Sequence, residues 1–416
     1  RRDRGGPGRG REVSRIDDMI REMYPNGVRK VRLRDIAVFS KNKIDSATLD
    51  GTTFVGVDNL LSNKGGRVDA THSANTSKVT RFTEGDILLG NIRPYLKKIW
   101  HADRSGGCSG DVLAIHIPSN IKPRISTRYL YYVLSSDNFF LYDQQNSKGA
   151  KMPRGSKTAI MDFTLPAPPI EVQREIVLIL DKFVKLEAEL EAELELRKQQ
   201  YACYLEKLLD FSNRHTEVPW RKLSDVGTFQ RGKRFTKADY ADTGTPCIHY
   251  GEIYTHYGVW ADQVMSHLRD DITTGLRFAE PGDVIIVDVG EVVDDVGQCV
   301  AWLGKEPAAV HDHCYIFRTD LNPVFVSYLL RTDWFRRQKA KHIARTKVKT
   351  LLIDGFSSIS IPIPPRQEQD RIVEVLNFFD TLISDISSGL PAEIEARCQQ
   401  YEYYRDKLLT FPEKTV

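Results

Sequence analysis

From Ile170 to Phe211 the sequence runs for more than forty residues with neither glycine nor proline, and apolar side chains recur along it at heptad spacing. One series is Ile176, Phe183, Leu190, Arg197 and Tyr204; the other is Leu180, Glu187, Leu194, Tyr201 and Leu208. Eight of these ten are apolar, which predicts one long helix with a coiled-coil seam. A second pattern, Ile372, Leu376, Phe379, Ile383, Ile386 and Leu390, steps by four to Ile394 and resumes through Tyr401 and Leu408. The step coincides with Gly389 and Pro391, so a kink or break is predicted there. Each stripe spans about 40 residues, roughly 60 Å of helix. Neither can be hidden by its own helix, so the two most simply pair with each other.

Outside these helices the pattern shortens. Apolar runs at Asp86–Leu89, Asp111–Ile117, Asp283–Val287 and Tyr315–Arg318, punctuated by Gly, Asn and Asp, predict strands. Amphipathic periodicity predicts one helix over about Thr127–Gln144 and another over about Pro323–Lys341. The fold expected is α+β.

These elements occur twice because the chain contains itself twice. Leu165-Pro-Ala-Pro-Pro-Ile-Glu-Val-Gln173 returns 196 residues later as Ile361-Pro-Ile-Pro-Pro-Arg-Gln-Glu-Gln369, both reading P-x-P-P-x-x-x-Q. The stretch from Gln199 to Phe211 returns from Gln399 to Phe411 with eight of thirteen positions identical. Weaker echoes pair Leu33 and Asp35 with Leu223 and Asp225, Gly85-Asp86 with Gly282-Asp283, and Asp137 with Asp333. The order is globular unit, long helix, globular unit, long helix.

At 416 residues, 41% hydrophobic and 28% charged, the composition is that of a globular protein with more than one core. No apolar stretch approaches the roughly 18 to 20 residues that span a bilayer, and the start lacks the apolar core of a signal peptide. Membrane and secreted readings are set aside on those grounds. Six scattered cysteines without a C-x-x-C pair suit a reducing cytoplasm, and a cytoplasmic location is expected. Arg1 to Gly10, Arg/Gly-rich and without an initiating Met, is expected to be a flexible leader or cloning remnant.

Net charge is only +3, from 59 basic and 56 acidic side chains, so any nucleic-acid contact must rest on local clusters. Two such clusters sit at matching positions of the repeat. In the first copy Lys148, Lys151, Arg154 and Lys157 occur without an acid; in the second, eight cations between Arg331 and Lys349 face only Asp333. A single run of cations is usually a solvated face, but two at matching positions point to phosphate contact. The candidates in the second run are Lys339, Lys341, Arg345, Lys347 and Lys349. Two polar-aromatic loops differ between the copies and carry the side chains that read base edges. They contribute Asn91, Arg93, Lys97 and Lys98 in the first copy, and Arg231, Lys233 and Arg234 in the second.

Catalytic motifs fare less well. Gly227 to Arg234 fits G-x-x-x-x-G-K but ends in Arg, where a hydroxyl residue would hold magnesium. His311-Asp-His-Cys314 has metal-like side chains, but on a strand they would alternate between faces, and no second ligand pair lies nearby. Asn91-Ile-Arg-Pro-Tyr95 lacks the adjacent prolines of an adenine methyltransferase loop. No catalytic centre, metal site or cofactor site is expected in this chain.

The paired P-x-P-P-x-x-x-Q helices, each ending in Tyr-x-x-x-x-x-Lys-Leu-Leu, resemble the specificity subunit of a type I restriction-modification system, from about Asp17 to Phe411. The resemblance implies two globular α/β target recognition domains separated by a pair of long antiparallel coiled-coil helices, a pseudo-two-fold internal repeat. On that scheme residues 1–27 are the leader plus an N-terminal helix, 28–169 the first recognition domain and 170–214 the central helix. Residues 215–364 are the second recognition domain and 365–416 the distal helix. The helix-pair seam would be Ile176, Leu180, Phe183, Leu190, Leu194, Tyr201 and Leu208 against Ile372, Leu376, Phe379, Ile383, Ile394, Tyr401 and Leu408. Each domain would read one half of a bipartite, asymmetric site in double-stranded DNA. The implied partners are two methyltransferase subunits and the restriction subunits, with S-adenosylmethionine, ATP and magnesium held on those partners. The chain itself would be non-catalytic. Two other readings weighed against it are a coiled-coil assembly scaffold without DNA recognition and an NTPase dependent on Lys233. Finally, Leu186 to Leu194 is a tandem Leu-Glu-Ala-Glu repeat whose leucines fall on the seam, a candidate ruler for the distance between the two domains.

Overall fold

A computed structural model of the chain describes Asp18 and residues 27–211, 218–345, 347–384 and 389–411. It divides into two compact units, one formed by residues 1–190 with 394–416 and the other by 191–393. The expected leader and N-terminal helix lie almost wholly outside the described residues, as does Ile386 of the second heptad series.

In the first unit the strand Ile87–Gly90 is buried along its whole length and sits inside a four-stranded antiparallel sheet. Val112–His116 and Ile99–His101 flank it, and Val38–Phe39 forms the edge beyond Val112–His116. The two-residue period of a strand sends its side chains to two different cores. Ile87 and Leu89 pack with Tyr129, Leu130, Phe139 and Phe140 of the helical layer, whereas Leu88 packs with Phe82, Trp100 and Ala114. A second four-stranded sheet, Lys43–Asp45, Lys78–Phe82, Gly106–Cys108 and Phe54–Val55, completes the globular part.

The second unit repeats this plan on a larger scale. Val284–Val287 is its buried central strand, in a five-stranded sheet with Gly227–Arg231, Cys314–Thr319, Cys299–Trp302 and Trp260–Ala261. Val284 and Ile286 face the helices, while Ile285 and Val287 face a separate core with Trp302 and Val310.

The single helices expected over Thr127–Gln144 and Pro323–Lys341 are each two helices. In the first unit they are Thr127–Leu134 and Asp137–Gln145. The hydroxyls of Ser135 and Ser136 turn back to the carbonyls of Tyr131 and Val133, both at 2.7 Å, and Ser136 also caps the second helix. In the second unit Pro323–Leu329 is separated from Asp333–Lys339 at Thr332, whose hydroxyl donates to Leu329 O at 2.7 Å. An apolar period that continues through the break hides it from pattern analysis.

The P-x-P-P-x-x-x-Q motif is a clamp. Gln173 and Gln369 are buried, at 0% and 3% exposure. Gln173 Oε1 accepts from Ser126 N (2.9 Å), while its Nε2 donates to Arg124 O (2.9 Å) and Pro168 O (2.7 Å). Gln369 Oε1 accepts from Asn322 N (2.8 Å), and its Nε2 donates to Pro364 O (2.8 Å). Each glutamine thus ties the first turn of a long helix to the N-cap residue of a shorter one, Ser126 or Asn322. Losing such a partner would leave buried donors unmade, at about 1–3 kcal/mol each.

The central helix is Ile170–Leu209, and the distal segment is two helices, Arg366–Ser384 and Leu390–Leu409, interrupted beside Gly389 as the stutter indicates. In the first unit Ile176, Leu180, Phe183 and Leu408 are buried, and Leu190, Ile394 and Tyr401 are half-buried. Phe183 stacks on Tyr404 at 5.5 Å, and Cys398 Sγ donates to Glu187 Oε1 at 2.8 Å, so the chains there run antiparallel. In the second unit Ile372 and Leu376 are buried, Leu194, Tyr201, Leu208, Phe379 and Ile383 half-buried, and Tyr204 stacks on Phe379 at 5.0 Å. No described helix is long and apolar enough to cross a membrane.

Candidate nucleic-acid interface

In both units the central strand ends at a buried polar residue, and the chain beyond it pairs with the basic run. In the first unit that residue is Asn91, 6% exposed, whose carbonyl accepts from Gly155 N at 3.0 Å. Ile92 and Lys148 each bridge Arg154, and Arg93 N donates to Pro153 O at 2.7 Å. The loop 91–98 and the run 148–157, separate in sequence, therefore form one surface, on which Arg93, Lys148, Lys151, Arg154 and Lys157 are exposed.

In the second unit the residue is Asp288, 1% exposed, whose carbonyl accepts from Leu351 N at 2.7 Å. Val289–Gly290 then pairs with Lys349–Leu351, which pairs with Ile343–Arg345. Arg231, Lys233, Arg234, Lys341 and Lys347 are exposed, Lys349 is half-buried, and the Arg345 side chain lies outside the description. The Arg231 guanidinium meets Asp288 Oδ2 through Nη2 and Asp312 O through Nε, both at 2.8 Å. Burial raises the Asp288 carboxyl above its ordinary range, against the pull of Arg231 and His313.

A scan with the family model for the type I restriction modification DNA specificity domain matches residues 25–196 and 217–396. The chain belongs to the type I specificity subunits. A putative type I restriction enzyme specificity subunit of Haemophilus influenzae is 31% identical over 301 residues, 70% of this chain and 74% of that protein. The EcoR124I/EcoR124II specificity subunit of Escherichia coli is 34% identical over 263 residues, 59% of this chain and 61% of that one. A structure from work on complex assembly and conformational transition of the type I R-M system shares the fold. Its TM-score is 0.63 at 17% identity, covering 92% of this chain and 97% of the other. The S subunit of M. genitalium gives a TM-score of 0.52 at 14% identity, over 93% and 96%. Specificity subunits are the recognition component of a multisubunit enzyme, not its catalytic part.

Several candidate residues of this specificity subunit are committed inward. Lys339, expected at a phosphate, is 3% exposed; its stem packs against Gly297, and its Nζ donates to Asp294 O at 3.4 Å. Burial lowers its pKa. Asn91 faces inward, Lys98 Nζ donates to Val57 O at 2.7 Å, and Lys97 Nζ lies 2.7 Å from Asp137 Oδ1. Lys64 reaches the same oxygen at 3.1 Å, and Arg405, 1% exposed, lies 3.4 Å from Oδ2. Burial alone would raise Asp137, but Lys97 and Lys64 hold it at about 2. These lysines brace the loop rather than face a ligand. All four described non-glycine residues at positive φ, Asn63, Lys64, Arg93 and Lys97, lie on these two adjoining segments. Left-handed backbone at non-glycine residues is thus concentrated there. His311 to His313 is a turn preceding the strand Cys314–Thr319, not the alternating strand expected, and its two imidazoles lie 5.4 Å apart.

Sequence reasoning missed Lys64, Asp137, Asp143 and Asp288. Asp288 is one residue past the central strand in the second copy, as Asn91 is in the first, so the repeat itself could have flagged it. Asp143 occupies the helix position that Lys339 holds in the second copy, and both are buried. Neither carboxylate oxygen of Asp143 has a hydrogen-bond partner, and a Cβ on Gly155 would sit 2.5 Å from Asp143 Oδ1 and 3.0 Å from Asn91 Oδ1. Burial pushes this carboxyl up to about 6.

Because its folded value lies above its unfolded one, Asp143 contributes most stability below about pH 4 and loses it as pH rises through about 6. Asp143→Asn is therefore expected to leave stability unchanged near pH 4 and to raise it by up to about 3 kcal/mol at pH 8. Urea midpoints at the two pH values measure this; an equal gain at both would contradict it.

Proposed function

We propose that each unit reads one half of a split, asymmetric site in double-stranded DNA through its paired loops, and that this directs adenine-N6 methylation or restriction by partner subunits. The observation that carries the reading is that in both units the chain leaving the end of the central strand pairs with the basic run, at Ile92 and Arg93 in the first and at Val289–Gly290 in the second. The shared sheet supplies the frame, exposed cations supply sequence-independent attraction, and the divergent loop supplies the difference between half-sites. Two methyltransferase subunits would bind S-adenosylmethionine and flip the target adenine, and ATP and magnesium would serve the restriction subunits. The assembly would work in the cytoplasm.

Duplex binding by the full chain with its methyltransferase subunits tests the role of the run. Replacing Lys148, Lys151 and Lys157 with Ala should weaken binding to all sequences alike and flatten the log–log salt slope by roughly 0.9 for each phosphate no longer neutralised. An unchanged slope with altered base preference would refute the phosphate assignment. Adenine-methylation mapping of DNA from cells carrying the complex should return two short motifs with a fixed gap, and one contiguous motif would refute the split reading.

A further inference from the structure

The second unit holds one cation differently from all the others described at the interface. Arg231 ends the edge strand Gly227–Arg231, opposite Tyr315, and its guanidinium lies 5.8 Å from that ring's centroid. Its Nε and Nη2 are both engaged inward, on Asp312 O and on Asp288 Oδ2. Nε and Nη2 form one edge of the guanidinium, so fixing that edge leaves the Nη1/Nη2 fork pointing away from both acceptors. The side chain remains 48% exposed while its anchor Asp288 is 1% exposed.

A carboxylate taken out of water beneath an arginine costs free energy unless the pair is well oriented, and here the orientation is fixed at two points. Those two bonds and the ring beneath restrict the rotamers that a surface arginine would otherwise lose on binding. The remaining fork presents two parallel N–H donors, the geometry that matches O6 and N7 of guanine in the major groove. Thymine and cytosine lack that pair of acceptors, and adenine presents a donor beside its N7.

At the matching positions the first unit carries a different pair of residues. Phe39 pairs with Ile115 as Phe229 pairs with Phe317, which places Lys41 at the position of Arg231 and Asn91 at that of Asp288. A lysine offers a point charge and no fork.

We propose that Arg231, held by Asp288, is a base-reading residue for guanine in the half-site of the second unit. This rests on the DNA-recognition reading above. The selected half-site of the second unit should contain a guanine whose replacement lowers affinity by about 10- to 100-fold.

The test compares full-chain complexes with their methyltransferase subunits, using pools of duplexes randomised across both half-sites. Arg231→Ala should lose preference at a single guanine position and keep every other position, with affinity for the cognate duplex down by the same factor. Replacing that base should then cost the variant nothing more. Arg231→Lys, which keeps the charge, should retain the salt slope without restoring the preference, and Asp288→Ala should weaken the preference at the same position. Unchanged preference in Arg231→Ala, or a uniform loss on all sequences with a flatter salt slope, would overturn the assignment while leaving the split-site reading standing. A wild-type complex without any base preference would overturn both.

Discussion

Exchanging residues 28–169 for the matching segment of another specificity subunit should change one half of the methylated site completely and leave the other half as it was. Each unit has its own central strand, its own apolar cores and its own paired basic run, so nothing that shapes the second half-site is touched. The incoming domain must supply three attachments to the helices that remain. Backbone groups equivalent to Arg124 O and Ser126 N must meet Gln173. Partners like Tyr132 and Arg128, which bond Asp181, are needed next, and so is an acid at position 137 for Arg405. A donor lacking them should yield an unstable chimera rather than a mixed specificity. Methylation mapping reads the result, and simultaneous change of both halves would contradict separate readers.

Adding one Leu-Glu-Ala-Glu unit within Leu186–Leu194 should widen the gap between the half-sites by one or two base pairs while leaving both motifs intact. The segment lies inside the unbroken helix Ile170–Leu209, where Leu186, Leu190 and Leu194 are half-buried and Glu189, Glu191 and Glu193 exposed. The boundary between the two units falls within it, after Leu190. Four more residues lengthen a helix by roughly 6 Å and turn its far end by roughly 40°, nearly preserving the apolar stripe. With a rise of about 3.4 Å per base pair, that length corresponds to one or two steps of the duplex. Mapping the insertion variant decides it, since an active complex with an unchanged gap rules the ruler out.

Much of this architecture was legible because it was written twice. A heptad over forty residues leaves little freedom, and a buried central strand such as Ile87–Gly90 shows as an apolar run. Less visible were features decided by local hydrogen bonding or by tertiary burial. Ser135 and Ser136 end a helix whose apolar period continues past them. Within a run of cations, nothing in the spelling of Lys339 distinguishes a buried ammonium from the exposed Lys341 two residues on. Lys97 and Lys98 looked like ligand contacts because charge signals an electrostatic role, and only the fold shows that Lys97 spends its charge on Asp137 and that Lys98 donates to Val57 O.

The first unit is discontinuous in the chain, and that bears on how the protein is made. Residues 191–393 form the second unit as one uninterrupted stretch, whereas Phe183 finds Tyr404, and Asp137 finds Arg405, only across more than two hundred intervening residues. During synthesis, at about 5–20 residues per second, nearly all of the second unit is made before the helix Leu390–Leu409 that closes the first. The domain translated first is thus completed last. A premature stop anywhere before Ile394 strips the first unit of its closing helix, however far downstream of its own sheets the lesion lies.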